Sequence, residues 1–237
     1  MNTEKVALIG GLGFLGSRLS KKLISSGVSH NIFDLSVQIE KNNFFKVDIE
    51  KPETLGVLKG SSAVIHMAAV HRDDIRPVSK YDDVNVQGTL NVCEAAEKYN
   101  IKKIIFTSSV AIYGFAEAGT GENGSPNFFN DYGRTKFEAE KVLIEWQAKE
   151  PDIRTLVIIR PTVIFGEGNR GNVYNLLRQI ASRRFLMFGN GTNRKSMAYV
   201  ENVAAFVEYS LSIKPGLHIY NYIDKPDFDM NKLISET

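Results

Sequence analysis

The chain has 237 residues, 43% apolar and 24% charged, enough to bury the core of one large domain or of one domain with a smaller partner. Its 29 basic and 27 acidic residues leave a formal net charge of +2 with no long single-sign block, which argues against a nucleic-acid binder or a polybasic membrane patch. A single cysteine, Cys93, excludes an internal disulfide and a cysteine-rich metal site, so no metal is expected, and it suits a reducing compartment as a buried thiol. The first five residues lead straight into a strand, leaving no room for a signal peptide. No apolar run approaches the roughly 18 residues that span a bilayer, so a cytoplasmic location is expected.

Val6-Ala7-Leu8-Ile9 is a short continuous apolar run of the kind found in strands buried on both faces. Gly10-Gly11-Leu12-Gly13-Phe14-Leu15-Gly16 follows it, and a helix is predicted from Ser17 to Ser26. Glycines between strand and helix permit a tight turn and bring backbone N–H groups to a pyrophosphate at the helix N-terminus. Asn31-Ile32-Phe33 is the next apolar run and ends at Asp34, 24 residues after Gly10, where a carboxylate accepts hydrogen bonds from both ribose hydroxyls and repels a 2′-phosphate. That spacing favours NAD over NADP. Asp48-Ile49 is expected to close a further short strand and flank the adenine.

Three more apolar runs, Ala63 to His66, Ile104 to Thr107 and Thr155 to Ile159, alternate with amphipathic stretches that include Asn91 to Tyr99 and Phe137 to Lys149. Strand alternating with helix implies an α/β fold with a doubly wound parallel sheet. Gly119 to Pro126 is the most turn-rich stretch and reads as a surface loop. Just beyond it, Tyr132 and Lys136 stand four residues apart in a segment that reads as helix, so their heads share one face. A phenol of pKa about 10 is a poor base at neutral pH, and a fixed positive charge favours its ionised form. A second Tyr-x-x-x-Lys, Tyr99/Lys103, falls at a helix end and reads as structural.

Together these motifs resemble the extended short-chain dehydrogenase/reductase family, in its nucleotide-sugar epimerase/dehydratase branch. Gly10, Gly13 and Gly16 are similar to its GxxGxxG turn, although Ile9 stands where a threonine is usual. His66-Met67-Ala68-Ala69 resembles the HxAA strand end, Asn85 with Gly88-Thr89 the N-x-x-G-T segment, and Ser108 to Gly114 the serine strand. The resemblance implies Ser109, Tyr132 and Lys136 as catalytic residues. It implies Gly10, Gly13, Phe14, Leu15, Gly16, Asp34, Asp48, Ile49, Ala68, Ala69, Asn85, Tyr132, Lys136 and Pro161 around NAD. On this reading Tyr132 takes a proton from a secondary alcohol while hydride leaves the same carbon, Ser109 donates to the developing carbonyl, and Lys136 keeps the phenolate populated. His66 reads as a satisfied buried histidine.

Val110-Ala111 follows Ser109 where dehydratases carry an acid pair, so dehydration is not expected. Epimerisation through a transient keto sugar is the expected reaction. A 4-keto-sugar reductase, a hydroxysteroid-type dehydrogenase of the same family and a non-catalytic NAD-binding module are the alternatives. Arg160 to Gly166 resembles the strand into the substrate domain, with Val163 where many sugar-nucleotide enzymes have asparagine, and Lys195 with Arg194 falls where a basic residue grips the diphosphate. His71 to Arg76, with Arg72, offers charged groups to a polar substrate. The expected organisation is a NAD-binding Rossmann domain over 1–165 and a partial substrate domain over 166–237, with 217–223 returning to the main sheet. Homodimers paired through the helices around Asn91 to Tyr99 and Phe137 to Lys149 are expected by the same resemblance.

Overall fold

The computed structural model describes residues 5–38, 42–72 and 74–237. Asp73 of the charged His71 to Arg76 group, and residues 1–4 ahead of the first strand, lie outside the described residues. The elements run β1 (Lys5–Ile9), α1 (Phe14–Ser25), β2 (His30–Asp34), β3 (Phe44–Lys46), β4 (Ser61–His66), α2 (Ser79–Tyr81), a π-helical segment (Asp82–Gln87), α3 (Gly88–Lys98), β5 (Lys103–Thr107), α4 (Asp131–Ala148) and β6 (Thr155–Pro161). Then come β7 (Val163–Phe165), α5 (Asn172–Ala181), β8 (Met197–Tyr199), α6 (Val200–Tyr209), β9 (Gly216–Tyr222) and α7 (Met230–Glu236).

Seven strands form one parallel sheet in the order β3-β2-β1-β4-β5-β6-β9. Because side chains alternate across a strand, β1 sends Ala7 and Ile9 to one apolar layer and Val6 and Leu8 to the other. The first layer is closed by α3 and α4 through Val92, Ala96, Leu143 and Trp146, the second by α1 and α6 through Leu19, Leu23, Val203 and Val207. Strand order reverses between β1 and β4, and the crevice beyond the carboxyl ends of these strands is where ligands enter such sheets. β7 and β8 make a separate two-stranded parallel sheet, while α5 and α7 build a small third cluster around Ile180, Met230 and Leu233. β9 pairs with β6 along its whole length, Thr155 opposite Gly216 through Pro161 opposite Tyr222. Among the described residues no helix is long and apolar enough to cross a membrane.

Three local expectations change. The first helix starts at Phe14, not Ser17, so Gly16 belongs to its first turn; a Cβ there would sit 2.5 Å from the Gly10 carbonyl oxygen, so only glycine fits. Asp48 and Ile49 lie beyond β3, which ends at Lys46. The Asp48 amide donates to Thr54 Oγ1 at 3.1 Å and its Oδ1 accepts from the Glu50 amide at 3.1 Å, a local turn that replaces the ladder. Ser108 and Ser109 follow the end of β5 at Thr107 and are not part of the strand.

Candidate active site

Two turns meet where Ser109 and Tyr132 lie. Asn130 caps α4 by accepting from the Gly133 amide at 2.9 Å, which places Tyr132 in the first helical turn. Ser109, in extended backbone, caps the short 3-10 helix over Val110–Tyr113 through the Ala111 amide at 3.1 Å. The two segments can approach because position 133 is glycine: a Cβ there would lie 2.5 Å from the Ala111 carbonyl oxygen. This sets the Ser109 hydroxyl beside the Tyr132 phenol. Burial pushes the Tyr132 phenol above the ordinary tyrosine value, and the neighbouring Ser109 hydroxyl acts in the opposite direction. Val110 and Ala111 occupy the 3-10 turn, so no carboxylate follows Ser109 in that turn.

Lys136 lies one turn further along α4 and is 1% exposed, with its Nζ 3.9 Å from the centre of the Phe106 ring at the end of β5. Desolvation pulls its pKa down to about 7, with the Glu140 charge opposing. The sequence reading gave Lys136 the task of stabilising the phenolate; within the protein alone the interaction that lowers the Tyr132 pKa is the Ser109 hydroxyl. His66 is fully buried and only half satisfied. Its Nε2 meets Thr89 Oγ1 at 3.1 Å, while Nδ1 has no partner among the described residues. Burial first and the Lys136 charge second bring its pKa down to about 3, so it is neutral at physiological pH.

Asn85 lies in the π-helical segment, a kind of local expansion common at functional sites. Its amide bonds the Val70 amide at 2.8 Å, the Val70 carbonyl at 2.9 Å and Thr135 Oγ1 at 2.9 Å, tying the chain after Ala68 and Ala69 to α4. Arg134 reinforces this join with a forked pair to Asp82 at 2.8 and 2.7 Å.

The other side of the crevice is built for a dinucleotide. Gly13 at the N-cap of α1 offers no side-chain cap and the first turn holds no acid, which leaves the amides around Phe14 and Leu15 open to an anion. Asp34, at the end of β2, is oriented by the Leu12 amide at 3.0 Å and the Ser36 amide at 2.9 Å. Those two bonds fix the carboxylate while leaving acceptor capacity for hydroxyl groups. Gly10 turns the chain at φ 79°, and Pro161 ends β6 on the same edge of the sheet.

The residues expected to hold substrate are not gathered at one point. Arg194 and Lys195 line a groove of about 640 Å³ between α5 and α7, with Phe185, Met187 and Met230. Arg72 is exposed and holds Asp74 through two bonds of 3.0 and 2.6 Å. Sequence reasoning missed a buried network: Arg160 on β6 pairs with Glu140 on α4 at 2.9 and 2.6 Å, both about 95% or more buried. Arg160 also donates to Tyr113 Oη at 2.5 Å and to the Glu122 carbonyl at 2.9 Å, and Tyr113 Oη donates to Asn221 on β9 at 2.9 Å. The signal was present, since Glu140 repeats the four-residue step from Tyr132 to Lys136.

A doubly wound sheet, an uncapped glycine turn, an acid oriented after the second strand and a Ser109–Tyr132 pair with Lys136 one helical turn beyond it define a dinucleotide-dependent enzyme of the extended short-chain dehydrogenase type. The chain belongs to the NAD dependent epimerase/dehydratase family, whose model matches residues 6–221. It is 50% identical over 240 residues to N-acetyl-alpha-D-glucosaminyl-diphospho-ditrans,octacis-undecaprenol 4-epimerase of Escherichia coli O157:H7, covering 98% of this chain and 71% of that protein. A UDP-glucose 4-epimerase of Vibrio cholerae is 30% identical over 228 residues, covering 86% of this chain and 65% of the relative. In fold it is similar to the UDP-glucose 4-epimerase of Thermus thermophilus in complex with NAD, at a TM-score of 0.80 and 22% identity, over 98% of this chain and 81% of that one. The protein is thus an NAD-dependent epimerase of this family.

Proposed function

We propose that the chain inverts carbon 4 of an N-acetylhexosamine carried on a diphosphate, and that the carrier is a polyprenol. The observation that carries this reading is the 50% identity, over almost the whole chain, to a relative whose name states that reaction. Ser109 beside Tyr132, with no acid in the turn after Ser109, supports epimerisation over dehydration. Val163, in place of the asparagine common in sugar-nucleotide enzymes, is consistent with a diphosphate held differently.

The residues divide the proposed reaction among them. NAD, held by the α1 turn, Asp34, the Ala68–Ala69 strand end and Lys136, supplies reversible hydride acceptance when bound. Tyr132 removes the proton from the 4-hydroxyl and returns it after the keto sugar has presented its other face. Ser109 donates to the carbonyl oxygen while it carries developing charge. Lys195 and Arg194 face the diphosphate as point charge and fork. The segment beyond residue 165 holds the substrate, and two copies pair through α3 and α4. This reading predicts that GlcNAc-diphospho-undecaprenol is converted to its 4-epimer much faster than UDP-GlcNAc, as seen by chromatography of the released sugar. Faster conversion of UDP-GlcNAc would make the enzyme a nucleotide-sugar epimerase instead.

Asp34 offers an independent test of the cofactor side. Asp34→Ala removes a charge-assisted acceptor, so NAD affinity should fall roughly tenfold or more while NADP affinity falls less. Titration by protein fluorescence reads both; equal losses for the two cofactors would take Asp34 away from the ribose.

A further inference from the structure

The net charge of +2 conceals an uneven distribution. Residues 168–200 contain no Asp or Glu but carry Arg170, Arg178, Arg183, Arg184, Arg194 and Lys195, a local formal charge of +6. Among the described residues none of these six forms an ion pair, whereas about half of the cations elsewhere, Arg18, Lys22, Lys149 and Arg154 among them, are bridged to acids.

The same segment exposes apolar surface. From Arg184 to Phe188 the chain is irregular, and exposure alternates along it. Phe185 and Met187 pack against the Ile180, Met230 and Leu233 cluster, while Leu186 is 74% and Phe188 86% exposed. Alternating side chains on extended backbone point to opposite sides, so one apolar side is buried and the other stands in solvent. Tyr174, on α5 nearby in sequence, is 40% exposed. Large apolar side chains amid unpaired arginines and without an acid are the composition of an interfacial surface, in which the apolar groups enter the acyl boundary and the cations meet phosphates.

We propose that the 183–188 ledge, with the surrounding arginines, docks the protein on the surface of an anionic phospholipid bilayer. Charge complementarity selects this occupant: Arg183 and Arg184 on the ledge have no acidic ion-pair partner among the described residues, and Asp229 adjoins the group at Arg194, through a backbone bridge, so the ledge would repel a second copy of itself. The docking is argued from the ledge, whose Arg184, Leu186 and Phe188 also line the groove with Arg194 and Lys195; it deepens the reading of a lipid-borne substrate without requiring it, since it would bring that groove to the bilayer.

The test is flotation of the protein with phosphatidylcholine vesicles with and without phosphatidylglycerol, at low and high salt, with no sugar substrate present. Binding should need phosphatidylglycerol and weaken at high salt. Arg183→Glu with Arg184→Glu should reduce it at least about tenfold, at roughly one surface charge per kcal/mol. Leu186→Ser with Phe188→Ser should reduce it independently, with the thermal unfolding of both variants near that of the parent. Equal partition to both vesicle types, binding indifferent to the variants, or a change of sedimenting mass in place of vesicle binding would overturn the proposal; the last would make the ledge a face between copies. Because the assay contains no sugar, its outcome is separate from that of the epimerase assay.

Discussion

Replacing Tyr132 by phenylalanine is expected to lower turnover about 100-fold to 10,000-fold, the range typical of a lost general acid–base group. The substitution removes one oxygen from a ring at the start of α4 and leaves the Asn130 cap and the Gly133 approach to Ala111 intact. Folding should therefore be unchanged, and the loss should appear in kcat and kcat/KM together. Burial raises the Tyr132 pKa, so the parent enzyme should gain activity as pH rises towards the phenol's titration, and the residual activity of the variant should lack that limb. Lys136, drawn down to about 7 in the protein alone, makes a second demand on the same profile. Bound anionic groups near it should raise its pKa again, and the Lys136→Met variant should lose NAD affinity as well as rate. Undiminished turnover by Tyr132→Phe, measured as keto-sugar formation or epimer yield, would remove this cluster from the chemistry.

The second large effect is expected from Glu140. Glu140→Gln leaves the Arg160 guanidinium, 5% exposed, with Tyr113 and the Glu122 carbonyl but no counter-charge. Breaking a buried pair by removing one partner costs roughly 3–5 kcal/mol, because an uncompensated charge stays inside. Urea unfolding should show that loss as a lower midpoint at unchanged slope. Replacing both partners, as Glu140→Leu with Arg160→Met, should recover much of it, since the desolvation penalty disappears along with the pair. A loss below about 1 kcal/mol for Glu140→Gln would mean that water or a shifted side chain compensates the arginine.

The parallel sheet and the cofactor turn were legible because their signals are local. Val6 to Ile9 with the glycines after it, and Asp34 at the end of the next apolar run, lie within 30 residues of one another. Tyr132 and Lys136 were legible as one helical step. The arrangement around them was not, because it depends on contacts between distant segments. Nothing in the sequence near Gly133 reveals that it faces Ala111, or that Ser109 leaves its strand to cap a turn. Asn85 was found by motif, yet the π-helical segment that lets it bond both Val70 and Thr135 has no sequence period of its own. Glu140 and Arg160 are 20 residues apart and meet only because α4 packs on β6. The acid-free segment was hidden by totals: a balanced whole-chain charge averages away a region where every residue charged at neutral pH has one sign.

The late return of β9 bears on how the polypeptide reaches this state. Residues 162–215 separate two strands that pair residue for residue, and within that stretch α6 packs back on the sheet while β7, β8 and α5 do not join it, so those elements are held at both ends by the main sheet. Parallel pairing across so long an excursion costs loop-closure entropy before it gains any contact, and such pairings form slowly. Until it forms, β6 presents an open apolar edge, a template for pairing with another nascent chain. The portions that look separable in the finished molecule therefore share a folding step, and the period before that step closes is the one in which the protein is most exposed to self-association.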